Sequence, residues 1–463
     1  MFTSFGAYIA SFSRRLKGKG NLALFARGAG GGFLIRGLAA GLTFVSAAVM
    51  TNVLGDVEYG VYAFVLVWVN VLVLLSRSGF NRSAVRYIAS YRSVERWDLL
   101  KGFLRYSRLR VILSSTTIAV VGAAGVYLFR DALLERQQPT LIGTAYVATV
   151  ALVLMAHLHL QEGILDGFKK VVLSQIPQQV IRPILIALGL LALSRAAGVT
   201  VTAPVGMATT VGATLLVLGI SYTFVKRALP PQLAEVEPAY DKKEWVSTSR
   251  DMMVATGFNQ ILMQADILLL GMLVDTTQGG IYQIASKVAG LLTIANVAAN
   301  SILHPMVADL FAKKDDRELQ RVVVVGANLV FVLGLVSGAV LFFGAGLILP
   351  IFGEAYAAAG TLPLRILTVG VILNLLSGPG LLLLNMTGHQ RDSMYIMGTA
   401  AAINVTLNLI LIPRFGAAGA ATATSLSIIL WNTAAAVMAY RRLKIVPMAF
   451  GLSLAKWLRR RRG

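Results

Sequence analysis

The sequence predicts an all-α, polytopic membrane protein of about 12 transmembrane helices, in two six-helix repeats around a central cavity. Three observations predict it. Hydrophobic residues make up 56% of the chain against 14% charged, and mean hydropathy is +0.72. The apolar residues come in runs of about 20, the length that crosses a ~30 Å hydrocarbon core as a helix. Basic residues crowd the intervals on one side of these runs and are sparse on the other, which is what sets orientation in a bilayer.

In chain order, a basic segment, 1–27, comes first. Its Phe2, Phe5, Tyr8, Ile9 and Phe12 would share one face of a short interfacial helix. The apolar run after it is too long for a signal-peptide core, so no cleavable signal is expected. The first-half runs fall at 28–53, 57–76, 111–129, 140–164, 173–193 and 203–225. The second-half runs fall at 251–274, 279–303, 322–349, 360–385, 394–412 and 416–440. Pro183 and Pro379 are the candidate kinks or breaks, tolerable where neighbours satisfy the freed backbone groups. The expected organisation is therefore an N-terminal segment 1–27, an N-terminal bundle 28–225, a cytoplasmic linker 226–250, a C-terminal bundle 251–440 and a basic cytoplasmic tail 441–463.

The charges test this arrangement. Of 42 Lys and Arg, four lie in the runs (Arg36, Arg182, Lys287, Arg365) and four in the outside loops (Arg130, Arg136, Arg195, Arg414). The remaining 34 fall in segments placed inside when the N-terminus is cytoplasmic. A missed or extra helix would invert the bias downstream, and no inversion occurs. Both termini are accordingly placed inside, with the tail Lys456–Arg462 at an anionic leaflet or serving as a plain topology signal.

The composition also excludes functions. The net charge of +21 would suggest nucleic acid in a soluble protein; here it reads as topology. The basic, aromatic interval Arg77–Arg110 fits a cytoplasmic loop or lipid-contacting helix better than an RNA site. No Cys is present, which removes disulfides, thiol catalysis and cysteine metal sites. His157 and His159 are two apart on a helix, so no metal site is expected. Gly30, Gly31 and Gly32 are not followed by a Lys-Ser or Lys-Thr, so no nucleotide site is visible.

The halves repeat. Gly60-Val61-Tyr62 matches Gly280-Ile281-Tyr282, each after a short acidic turn. Asp166-Gly167-Phe168 matches Thr387-Gly388-His389. Pro204–Ala208 resembles Ala417–Ala421. Six spans per half make the repeats parallel, a transporter arrangement with substrate between the halves.

Val53–Ser90 (VLGDVEYGVYAFVLVWVNVLVLLSRSGFNRSAVRYIAS) resembles the N-terminal pattern of polysaccharide-biosynthesis, O-antigen-type flippases. Gln264–Gly271, Gly280–Lys287, Leu303–Asp309 and Leu384–Ala421 fit the same family, which lies in the multidrug, oligosaccharidyl-lipid and polysaccharide exporter superfamily. The resemblance implies a bacterial-type inner-membrane flippase. It would move a polyprenyl-diphosphate-linked glycan from the cytoplasmic to the outer leaflet, among membrane lipids and beside the polymerase and glycosyltransferases of its pathway. Twelve spans fit the O-antigen and exopolysaccharide branch better than the fourteen usual for lipid II flippases.

Site candidates come from the chemistry of charges at bilayer depth, which cost at least ~2.5–3.5 kcal/mol to insert and so face a cavity or a partner. Arg36, Arg182, Lys287 and Arg365 are the candidates for holding a diphosphate; an internal ion pair or snorkelling is the alternative, the latter especially for Arg365. Asp266 and Glu162 are candidates for coupling to H+ or Na+, or for neutralising a cation. Asn296, Asn300, Asn374, Asn404 and Asn408 are expected to bond across helices. No cofactor is expected. Four in-span cations against two acids favour an anionic substrate over the drug cations of a multidrug antiporter. Short outside loops argue against a membrane-embedded polymerase or ligase.

Overall fold

A computed structural model describes residues 21–131, 139–196 and 200–451. The Phe2–Phe12 face and the Lys456–Arg462 tail lie outside the described residues. Those described are helices and turns with no strand, as hydrocarbon requires: each backbone N–H and C=O must be paired within its own segment.

The first helix, α1 (Asn21–Arg77), is two spans meeting at Gly55, where φ is 76° and ψ is 174°. There follow α2 (Phe80–Ser93), α3 (Trp97–Leu128), α4 (Pro139–Gly167) and α5 (Val171–Ile176). One π-helical turn, Pro177–Ile181, joins α5 to α6 (Arg182–Ala196), and α7 is Ala203–Ala228. Beyond the linker come α8 (Lys242–Leu273), α9 (Thr276–Gly290), α10 (Thr293–Ala312), α11 (Asp316–Ile348), α12 (Glu354–Ser377), α13 (Gly380–Met386) and α14 (Gln390–Leu443).

Helix α14 shows why the span count exceeds the helix count. A straight helix of its 54 residues would be about 80 Å long. Its ends nevertheless meet, with Arg442 Nε donating to Asp392 Oδ2 at 2.8 Å. The reversal is at Gly416, whose φ of 53° and ψ of −132° suit a residue without Cβ. Eight helices among the described residues are long and apolar enough to cross a membrane. Two of these are folded at Gly55 and Gly416, and α8 and the α9–α10 pair supply two further spans. About twelve crossings result. The break expected at Pro379 is present: α12 ends at Ser377, Gly378 has φ 70°, and α13 begins at Gly380. At Pro183 the disturbance comes one turn earlier, as the π turn.

The chain forms two compact units, Leu34–Gly280, and Met1–Phe33 with Ile281–Gly463. The first includes α8, on the far side of the 226–250 linker. The reason is local. Ser83 Oγ in α2 lies 2.7 Å from Ser249 Oγ in α8, and Tyr87 OH donates to Thr248 Oγ1 at 2.9 Å. Trp245, fully buried, donates through Nε1 to Tyr91 OH at 2.8 Å and meets the Phe103 ring edge-on at 5.4 Å. The aromatics of the 77–110 interval therefore build a core between helices. The lipid-contact reading fails for Phe103, Tyr87 and Tyr91, because α8 supplies the apolar partner surface. The linker is strapped to α3 by Ala239 N to Asp98 O, 3.0 Å, and Lys101 Nζ to Val236 O, 2.7 Å. At that end Asp98 is held below the usual carboxylate range by its hydrogen bond from Arg96.

In the second unit the core gathers Leu303, Val307, Leu319, Val323, Leu383 and Ala439. Leu128, Phe343 and Leu347 are 74%, 79% and 82% exposed, as expected of side chains that face lipid.

The repeat is visible within each unit. Tyr62 OH lies 3.0 Å from Thr210 Oγ1; its counterpart Tyr282 OH donates to Thr424 Oγ1 at 3.3 Å. Tyr62 and Tyr282 close the two matching Gly-x-Tyr triplets.

Candidate functional site

A polar cavity of about 490 Å³ lies within the first unit. Five stretches of chain build it. The end of α1 contributes Asn70 and Arg77, and the start of α2 contributes Asn81 and Arg82. The last two turns of α4 contribute His159, Glu162 and Asp166. The π turn and the first residue of α6 contribute Gln178 and Arg182, and α8 contributes Gln260 and Gln264.

Local structure explains the convergence. The Ser78–Gly79 turn (φ 47° and 79°) folds α2 back beneath α1, so Arg77 and Arg82 flank one corner. Gly163 lets α2 and α4 touch: a Cβ there would sit 2.1 Å from the Asn81 carbonyl oxygen. Pro183 has no N–H to offer the preceding turn. The chain adopts π geometry there, with Arg182 N donating to Pro177 O. Such turns recur at functional sites. Gln178 and Arg182, four apart, both line the cavity as a result.

The electrostatics are unbalanced. Glu162 Oε2 is 3.2 Å from His159 Nδ1, and Asp166 Oδ1 accepts from Ser174 Oγ at 2.5 Å. Arg182 Nη2 reaches the Met155 sulfur, at 3.6 Å. Arg77 Nε, Arg182 Nε and Gln178 Oε1 are buried without a hydrogen-bond partner. Two arginines with an unmet Nε donor at the wall of a polar cavity suit an anion with several oxygens, while Gln178 Oε1 is an unmet acceptor.

The structure brings together two of the sequence-predicted site residues, Arg182 and Glu162. Asp266 is in the first unit, 4% exposed, but does not line this cavity. Arg365 is in the second unit, where its Nε donates to Phe342 O at 3.1 Å and its guanidinium lies over the Phe342 ring at 5.4 Å. Lys287 is exposed in the second unit and lines neither polar cavity described here. The side chain of Arg36 lies outside the described residues. His157 and His159 diverge as their spacing implied: His157 Nδ1 turns back to Val153 O at 3.0 Å.

Sequence reasoning missed Arg77 and Arg82, which it counted among the orienting charges. The available signal was Arg77's position one residue past an apolar run whose end was uncertain by several residues. The asparagines divide. Asn404 Nδ2 bonds across the Gly416 reversal to Thr424 Oγ1 at 3.4 Å, as expected. Asn300 Nδ2 instead bonds Asn296 Oδ1 on its own helix, 3.3 Å, because the two are four apart.

Residues 25–311, which contain every residue of this cavity, match the family described as polysaccharide biosynthesis protein. The chain belongs to that family. Residues 252–410 also match MatE, and the chain is a transporter or flippase of the MOP superfamily. An uncharacterized membrane protein of Methanocaldococcus jannaschii is 22% identical over 406 residues, 84% of this chain and 78% of its own. The probable flippase AglR of Haloferax volcanii is 27% identical over 169 residues, 36% of this chain and only 35% of its own length. Among solved structures, an inward-facing multidrug resistance MATE family transporter of the MOP superfamily superposes with a TM-score of 0.69 at 14% identity, over 90% of this chain and 95% of that one. The lipid II flippase MurJ, in an inward closed conformation, gives 0.67 at 13%, over 90% and 87%. These two likenesses establish the fold.

Proposed function

We propose that the protein flips a polyprenyl-diphosphate-linked oligosaccharide from the cytoplasmic to the outer leaflet, by alternating access, for cell-surface polysaccharide assembly. The observation that carries this reading is the gathering of three guanidinium groups, Arg77, Arg82 and Arg182, around the first-unit cavity, two of them with a buried Nε that has no hydrogen-bond partner. A diphosphate crossing hydrocarbon must exchange its water for other donors, and planar guanidinium forks replace that hydration in bidentate fashion. Glu162 and Asp166 temper the attraction, so that the group can also leave. Arg77, Arg82, Glu162 and Asp166 sit at the cytoplasmic ends of their helices if both termini are cytoplasmic, which suits loading from that side. The setting is the plasma membrane, with the pathway's glycosyltransferases upstream and its polymerase downstream. Asp266, buried on α8, and Glu162, beside His159, are the candidates for coupling to H+ or Na+.

Depletion of the protein tests the reading: the polyprenyl-linked glycan of the host should accumulate on the cytoplasmic leaflet. If no such glycan accumulates, the protein is not this flippase.

A cation-coupled multidrug antiporter is the second reading, favoured by the MatE match over 252–410 and by the buried carboxyl of Asp266. It would require an acid-dominated cavity, opposite to the charge balance found. It predicts sensitivity to cationic dyes on depletion, with lipid-linked glycans unchanged. A membrane-embedded polymerase or ligase is disfavoured by the transporters and flippases among the relatives and structural neighbours.

A further inference from the structure

A second polar cavity, of about 260 Å³, lies wholly within the second unit, and its chemistry differs from that of the first. Its polar lining is amide. Asn296 and Asn300 come from α10, Asn374 from α12, Asn385 from α13 and Asn432 from the second limb of α14, with Trp431 beside the last. It holds no Lys, Arg, Asp or Glu. Its one titratable residue, His304, has Nδ1 committed to Asn300 O at 2.6 Å. The helix break at Ser377–Gly380 opens the wall between Asn374 and Asn385. Asn300 Oδ1 is buried and has no hydrogen-bond partner.

The repeat makes the contrast informative. At the offset that pairs Asp166 with Thr387, Glu162 corresponds to Leu383 and His159 to Gly380. The charges of the first cavity are thus missing from the matching helix of the second. What remains is a set of groups that each donate and accept, beside one aromatic face. Hydroxyl groups match amides because they too donate and accept. The C–H face of a pyranose suits the apolar body of an indole. Neither a phosphate nor a drug cation would find a charge partner here. A purely apolar ligand would leave Asn300 Oδ1 unpaired.

We propose that this cavity is a carbohydrate subsite, which takes uncharged sugar residues of the transported lipid-linked glycan. The inference rests on the flippase reading and adds a separate place for the sugar.

The absence of cysteine from the chain provides the test. Single cysteines are introduced at apolar lining positions, Leu381→Cys in the second cavity and Val85→Cys in the first, in full-length protein in lipid nanodiscs. Labelling by a water-soluble maleimide is followed with two probes: the oligosaccharide released by mild acid from the host's own polyprenyl-linked pool, and inorganic pyrophosphate. The expected result is that oligosaccharide slows labelling at Leu381→Cys and pyrophosphate does not. Pyrophosphate should slow labelling at Val85→Cys. Asn374→Leu should weaken oligosaccharide protection by roughly tenfold, leaving pyrophosphate protection at Val85→Cys intact.

The proposal is overturned if Leu381→Cys is never labelled, if oligosaccharide gives it no protection, or if pyrophosphate protects it equally well. Pyrophosphate protection of Val85→Cys, with none by oligosaccharide at Leu381→Cys, would sink the sugar subsite and leave the flippase reading standing. Failure of pyrophosphate at Val85→Cys would count against the flippase reading itself.

Discussion

Arg77 and Arg182 each hold a buried Nε with no hydrogen-bond partner. An unpaired cation at depth is a cost in the empty protein and an asset once an anion is bound. Stability and transport should therefore move in opposite directions. Replacing Arg182 by Gln should raise the thermal midpoint of the ligand-free protein, measured in detergent, while reducing flipping about tenfold or more, the effect of losing a charge-assisted hydrogen bond of ~1.5–3 kcal/mol. A lowered midpoint together with normal flipping would contradict the assigned role. Arg365 should behave in the opposite way. Its guanidinium is already used on Phe342, so Arg365→Ala should cost about 1 kcal/mol of stability and leave transport per folded molecule unchanged. From the chain alone both are lone cations in apolar runs, with snorkelling the favoured alternative for Arg365. Their neighbours in space separate them. Arg182 faces Met155 and amides, whereas Arg365 faces a carbonyl and an aromatic ring.

The helices themselves were largely legible, since hydrophobic run length and the thickness of a bilayer leave little choice. Gly55 and Gly416 reverse the chain where the apolar runs break, the first beside Asp56 and Glu58 and the second three residues after Pro413. The α2–α8 contact was invisible, because the Ser83–Ser249 and Tyr91–Trp245 pairs join residues more than 150 positions apart. Two glycine substitutions separate the two kinds of constraint. At Gly55 the surrounding space is open, so Gly55→Ala should cost only the strain of a backbone at φ 76° and ψ 174°, about 1–3 kcal/mol. At Gly79 a Cβ would also lie 1.9 Å from Ser249 O, so Gly79→Ala should detach α8 from α2 and cost more than ~3 kcal/mol. Thermal unfolding of the two variants, with Trp245 fluorescence as the reporter of the α2–α8 core, measures the difference. Equal losses would show that the contact carries little.

Across the molecule as a whole, topology and the division of chemistry between the units are the properties to test. If both termini are cytoplasmic, cysteines placed at Glu235 and Asp315 should react with an impermeant thiol reagent only after the membrane is opened. Cysteines at Asp131 and Glu354 should react in intact cells. The reverse pattern would turn the molecule over and place the first-unit cavity at the opposite face. The two-unit division also bears on coupling. Asp266 lies on α8, the helix that crosses the 226–250 linker to join the first unit. Asp266→Asn should abolish any dependence of flipping on an H+ or Na+ gradient without changing pyrophosphate protection at the first cavity. Unaltered gradient dependence would remove Asp266 from that role.

The amino-acid sequence by itself determined the solvent of this protein, its span count and its internal repeat. Those properties follow from local quantities: run length, charge per interval and short matches at one offset. Tertiary structure alone decided which cations share a cavity, which is already satisfied by a carbonyl, and which helix belongs to which unit. Those outcomes depend on groups distant in the chain that meet at hydrogen-bond range, where a few ångströms separate a binding site from an ordinary packed side chain. The basic residues between the apolar runs show both levels at once: their crowding into alternate intervals is legible in the chain, while Arg77 and Arg82 are folded by the Ser78–Gly79 turn into the wall of the site.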